Sequence, residues 1–280
     1  MKWILLASIL LIACSSELDI VSGPFLIKDG LTYHQATNNP ITGVTQDFYE
    51  NGQLKTLISY RSGLKHGSYE KFHENGQLHV RAFYYKGTFE GSSERFSSDG
   101  DLMVTRSYVN GLKHGVEIYF FPSGIISSRS DWMMGQQTGL VEVFHDNGKL
   151  LSSGMVIDGG SDGLEQIFYD TGSLRRSVVW VRGQLSGPLK IYNKNGDLMI
   201  EGQYKDSKKH GDFKKYNYSG EVWFSWRCDL GVILKDTYFF SANPFDQFDL
   251  PVDDASSPAP IEIDGYDYWL CSMSDFGGSR

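Results

Sequence analysis

The chain has 280 residues, enough for one or two ordinary domains, and its 40% hydrophobic and 14% aromatic content belongs to a folded protein rather than a disordered one. The formal charge of −8 is unevenly placed: residues 1–228 hold 24 acids and 24 bases, while residues 229–280 hold ten acids against Lys235 and Arg280. No basic run or stripe appears along the sequence, and an acidic chain repels phosphate backbones, so nucleic acid is not expected as a partner.

Residues 1–13 read as a targeting segment that must be kept out of the fold. Lys2 and Trp3 precede an apolar run over residues 4–13 interrupted only by Ser8. That run is about half the roughly 20 residues a spanning helix needs. It ends in Leu11-Ile12-Ala13-Cys14, which resembles the lipobox of bacterial lipoproteins. The resemblance implies cleavage before Cys14 and lipidation there, hence stable attachment to a bilayer. An ordinary secretory signal with an incidental cysteine, or a short anchor, is the alternative reading. Ser15 follows where an acidic residue would signal inner-membrane retention. The resemblance therefore implies the cell envelope, on the outer membrane if the host has one. With Cys14 acylated, Cys228 and Cys271 are the remaining thiols in an oxidising compartment, where one disulfide or two buried free thiols are the choices.

Residues 14–42 read as a linker and N-terminal cap. From residue 43 the chain is governed by glycine on a 24-residue period. Gly43, Gly67, Gly91, Gly115, Gly139, Gly163, Gly187 and Gly211 open eight repeats, a second glycine follows nine residues later, and a third twenty residues later with Ser207 as the exception. Positions below are counted from each opening glycine. Position 5 is always aromatic (Phe48 to Tyr216), position 11 always aliphatic (Leu54 to Val222), and position 17 is Tyr60, Tyr84, Tyr108, Trp132, Val156, Trp180, Tyr204 and Cys228. Two short runs per repeat separated by turn residues predict two strands, neither long enough for a helix.

The turn at positions 7–9 reads Glu-Asn-Gly twice, then Ser-Asp-Gly, Pro-Ser-Gly, Asp-Asn-Gly, Asp-Thr-Gly, Lys-Asn-Gly and Tyr-Ser-Gly in successive repeats. A two-residue type I′ turn would force positive φ on Ser123 and Thr171, whereas a three-residue loop ending in a left-handed glycine demands it of the glycine alone and welcomes Pro122. That loop pairs position 6 with 10 and position 5 with 11, so aromatic and aliphatic share a face. Simple alternation then puts positions 11, 13, 15 and 17 on that face too. The expectation is an all-β fold: an elongated single meandering antiparallel sheet of eight stacked hairpins over residues 43–234, roughly 75 Å long at two strand spacings per repeat. Residues 235–280, acidic and aromatic, are expected to cap its far end, with a Cys228–Cys271 bridge contributing about 4 kcal/mol.

Chemistry is sparse in this pattern. His66, His114 and His210 end their repeats, and His66 and His114 lie roughly 19 Å apart, too far to share a metal. His73 and His145 are expected as solvated turn residues. No nucleophile elbow, phosphate loop, zinc helix or Cys-x-x-Cys is present, and the acidic pairs Glu70/Glu74 and Asp99/Asp101 flank turns. Neither enzyme activity nor a cofactor or metal is expected. The row Tyr60, Tyr84, Tyr108, Trp132, Trp180 and Tyr204 is either the core of the sheet or a binding groove.

The pattern G-x4-[FY]-x2-[NDST]-G-x-L-x5-[YW]-x2-G-x3-G, clearest over residues 43–67 and 67–91 and with Lys-His-Gly at 65–67, 113–115 and 209–211, resembles the MORN repeat in its bacterial variant form. Many bacterial members carry the label of YwqK-type antitoxin of a toxin-antitoxin system. The resemblance implies an array of β-hairpins serving as a scaffold. With the anchor, it implies a membrane-attached module whose partner is a protein or a surface polymer, or alternatively an antitoxin-like immunity protein.

Overall fold

The structure is a computed structural model that describes residues 19–234 and the backbone of Phe239–Phe240. Cys14 and Cys271, with the rest of residues 1–18, 235–238 and 241–280, lie outside the described residues. The chain divides into two compact units, Met1–Gly100 and Asp101–Arg280. Every described element is a β-strand, and no described helix is long and apolar enough to cross a membrane.

The first unit opens with a small antiparallel sheet of Phe25–Lys28, Leu31–His34 and Asn39–Pro40. A meander follows from Gly43–Phe48 through Leu54–Arg61, Leu64–Phe72 and Leu78–Tyr85 to Thr88–Phe96, each strand paired with the next. Strand Gly43–Phe48 is not left as a bare edge. Val21 N donates to Val44 O at 2.8 Å and Val44 N to Asp19 O at 3.0 Å, in a parallel bridge centred on Ile20. Pairing an edge in this way removes a template for aggregation.

The second unit is a meander from Leu102–Val109 to Val222–Asp229, where Phe239–Phe240 adds a last antiparallel strand. Its ladders join strands adjacent or next but one in the chain, so the sheet is open.

The hairpin loops have the expected form. Tyr49 N donates to Gln53 O at 2.8 Å and Gly52 N to Tyr49 O at 2.9 Å, closing a three-residue loop in which Gly52 alone has positive φ, 85°. Phe48 sits opposite Leu54 and Phe72 opposite Leu78. The register then slips. After Phe48–Leu54 the next pair is Asp47–Thr56, leaving Lys55 as an extra residue in a β-bulge, and the same slip recurs at Lys71/Phe72, Tyr119/Phe120 and onward.

One extra residue inverts the alternation of everything after it. Positions 5 and 11 therefore lie on one face, with positions 1, 3, 14 and 16. Positions 13, 15 and 17 lie on the other, with 2, 4 and 22. The expectation that 11, 13, 15 and 17 share a face is thus incorrect: alternation was counted across a bulge that the loop itself introduces. We call the face carrying position 17 the inner face and the face carrying position 5 the outer face. The nine buried residues that form the second unit's core, including Val178, Leu189, Phe213, Trp226 and Cys228, all stand at inner-face positions. Phe48, at an outer-face position, is 53% exposed.

The other two glycines of the period are placed by the same geometry. The third completes a two-residue turn between repeats in which both residues are left-handed, as at Ser62 (φ 50°) and Gly63 (φ 80°). The opening glycine sits in a second bulge, against the preceding repeat. At Gly187, φ is 131° and a Cβ would come within 3.0 Å of Val179 Cβ, so no other residue fits without strain.

Candidate binding surfaces

Both loop edges are stitched from repeat to repeat. Asn51 Nδ2 donates to Glu74 O at 3.0 Å, Asn75 Nδ2 to Ser98 O at 2.7 Å and Asn147 Nδ2 to Asp170 O at 2.9 Å, while each Asn Oδ1 accepts from the backbone two residues on. Position 6 does the same: Tyr49 Oη donates to Phe72 O at 2.7 Å, and the Nε2 atoms of His73 and His145 to Phe96 O and Phe168 O at 3.2 Å. His73 and His145 are therefore half-buried structural donors and not solvated turn residues.

The aromatic row stands on the inner face, where Tyr60, Tyr84, Trp132, Trp180 and Tyr204 each lie opposite the opening glycine of their repeat, as in Gly43–Tyr60 and Gly187–Tyr204. In the first unit Tyr60 is buried, and that burial raises its phenol pKa. Lys65 Nζ lies 5.3 Å from the Tyr69 ring and 5.0 Å from the Tyr84 ring, and Tyr84 meets Phe89 at 4.3 Å. In the second unit Tyr204 is buried, while Tyr108, Trp132 and Trp180 are half-buried. Lys113 Nζ covers Trp132 at 4.0 Å, and Trp180 Nε1 donates to Glu165 Oε2 at 2.8 Å. Cation–π contacts of this kind occupy ring faces that a groove would leave open, and the Trp180 N–H is satisfied in its own ring plane.

A buried carboxylate lies among them. Glu117 is 5% exposed at its side chain and accepts from Lys113 Nζ at 2.9 Å and from Arg106 Nε, whose Nη2 also donates to Tyr119 Oη at 2.9 Å. Burial pushes the Glu117 pKa up, but the hydrogen bonds from Lys113 and Arg106 outweigh it and hold the group below the ordinary carboxylate value. It is an ionised, fully engaged group, suited to holding the sheet and not to proton transfer. Among the described residues no three His, Cys, Asp or Glu side chains are close enough together to hold a metal ion. His66 packs on Tyr85 at 5.1 Å, His210 Nδ1 lies 3.1 Å from Asp229, and His114 donates its backbone N–H to Ser107 O. Cys228 is buried and its sulfur is in a disulfide; Cys271, the partner expected from the sequence, lies outside the described residues.

The outer face differs in character along the chain. In the first unit it carries the ion-paired trio Glu70–Arg81–Glu94, with contacts of 3.4 and 3.2 Å. In the second it carries Arg129–Glu142 at 2.8 Å and Lys214–Glu201 at 3.0 Å. Between these pairs an apolar strip is open to solvent: Met155, Ile157, Leu164 and Val181 are 41%, 52%, 51% and 47% exposed. Leu140 sits opposite Met155 and Leu164 opposite Val179, which makes the strip continuous across neighbouring strands. Sequence reasoning missed the strip because correct face assignment needs the bulge. Its only signal was the apolar bias of positions 1, 16 and 18 in repeats five and six.

No curated protein matches the chain. The solved structure "Crystal Structure of TcdB2-TccC3-Cdc42" is similar at 10% identity over 72% of this chain and 16% of that one, with a TM-score of 0.17, a likeness too slight to bear on fold or function. The MORN repeat variant family matches at residues 41–62, 65–86, 137–157 and 185–206. These four matches fall on the same grid as the hairpins described above and support a MORN-repeat protein.

Proposed function

We propose that the chain is a non-enzymatic, lipid-anchored repeat scaffold of the bacterial envelope that holds a protein partner on the outer face of its second unit. The observation that carries this reading is the solvent-open strip of Met155, Ile157, Leu164 and Val181 beside the Arg129–Glu142 ion pair. Contiguous exposed apolar surface rimmed by polar groups marks an interaction site more often than a tolerated defect. The anchor rests on the tetrad ending at Cys14, and placement on the outer membrane on Ser15.

Cross-linking in intact cells tests the partner. The wild type should yield one stoichiometric adduct that Met155→Asp/Leu164→Asp abolishes while the melting curve is retained. The same adduct with both proteins would refute the assignment of the surface. Metabolic labelling with palmitate tests the anchor: label on the wild type and none on Cys14→Ser is the expected result.

A further inference from the structure

Read linearly, the sequence has no basic stripe, yet strand alternation in the first unit sorts its charges. The inner face there receives Lys55, Lys65, Lys71 and Arg95 against Asp47, while the outer face carries the mutually paired Glu70, Arg81 and Glu94. Two of the four inner-face cations are already engaged. Lys55 pairs with Asp47 at 3.2 Å, and Lys65 lies over Tyr69 and Tyr84. Lys71 and Arg95 have no carboxylate partner among the described residues.

The ladder fixes where these two point. Lys71 is opposite Val80 on one side and Arg95 is opposite Val80 on the other, so their backbones flank one small residue at roughly 10 Å from each other. Beside Val80 stands His79, whose ring stacks on His73 at 4.2 Å. Lys71, His73 and His79 line an open cleft of about 500 Å³ together with Tyr49, Asn75, Ser98 and the exposed carboxylate of Glu74. Burial lowers the His79 pKa, and the charges of His73, Lys71 and Arg95 push it the same way, as expected where positive charge lacks a counterion.

We propose that this cleft binds a phosphate monoester, held by Lys71 as counter-charge with the His79 imidazole as a further donor, while Arg95, opposite Val80 and outside the lining, adds positive charge nearby. A dianion with three terminal oxygens matches the Lys71 ammonium, an imidazole and the nearby Arg95 charge better than a carboxylate does. The cleft leaves room for the group that carries the phosphate. The site lies in the first unit and is independent of the partner surface proposed for the second, so either can fail while the other stands.

An NMR titration of the protein with inorganic phosphate at constant ionic strength tests it. The ring signals of His73 and His79 should shift saturably, and the His79 pKa should rise when phosphate is bound. Lys71→Met/Arg95→Met should weaken binding at least about tenfold. Glu74→Gln, which removes the cleft carboxylate, should tighten it by about two- to threefold, a gain that misfolding cannot produce. Glycerol phosphate giving the same shifts identifies a soluble ligand, and a response confined to phosphatidate vesicles identifies a headgroup. No saturable response to any of these, or an equal response in the double variant, overturns the proposal.

Discussion

Gly202 and Phe213 turn the packing of the inner face into a number. Gly202 is not left-handed, so no backbone constraint demands glycine there; a Cβ would overlap the Phe213 ring at its Cε1, and that ring is 1% exposed and stacked on Trp226 at 5.2 Å. Gly202→Ala is therefore an overpacking substitution, costing about 2 kcal/mol. Phe213→Ala removes a buried ring from that stack and costs about 3–5 kcal/mol. In the double variant the new methyl group occupies space the ring has vacated, so the total should stay near the cost of Phe213→Ala alone. Urea denaturation followed by tryptophan fluorescence measures all three, and in a separate thermal melt the single Gly202→Ala change should lower the melting temperature by about 4–8 °C. The cycle should show coupling of about 2 kcal/mol, since residues in contact are not additive. Strictly additive losses would refute the placement of the Phe213 ring across Gly202.

Glu117→Gln leaves Arg106 and Lys113 without their shared carboxylate and should cost about 2–4 kcal/mol near neutral pH, allowing for the partial exposure of both cations. Because the folded pKa of Glu117 is depressed, the difference from wild type should be complete above about pH 4.3 and shrink as pH falls through the lower folded value, which urea titrations at several pH values would follow. Met134 occupies the first left-handed position of its turn with φ 49°, a place suited to asparagine, so Met134→Asn should stabilise by about 0.5–1 kcal/mol in a thermal melt. Non-reducing peptide mapping should recover Cys228 linked to Cys271, and Cys271→Ser should lower stability by up to about 4 kcal/mol; alkylation of both thiols in the native protein would contradict the pairing.

The repeat length, the strand pairs and the three-residue loop were legible because each is fixed locally: a period shows itself, and Pro122 with Gly124 admits few loop geometries. The assignment of faces was not. The bulge at Lys55 and its equivalents follows from the loop already inferred, but a strand's side chains reveal their direction only once every residue between two markers is counted as paired or unpaired. The turns between repeats were equally hidden, since Met134 and Leu230 carry positive φ without any of the residue types that usually announce it. For the same reason the strip around Leu164 and the cations around Val80 could not be read along the chain. Both are juxtapositions across strands, and a one-residue slip sends each to the opposite side.

The most direct test of that slip is a hydrogen bond that only the bulged sheet allows. Tyr216 at position 5 donates its hydroxyl to Glu201 Oε1 at position 14 at 2.7 Å, which requires both side chains on the outer face. Burial raises the Tyr216 pKa, and the bond to the Glu201 carboxylate and its charge raise it further. An NMR titration of the Tyr216 ring carbon bearing the hydroxyl should place its midpoint above that of a free tyrosine, and Glu201→Gln should bring it down. A midpoint indifferent to that substitution would put the two residues on opposite sides of the sheet and contradict the account.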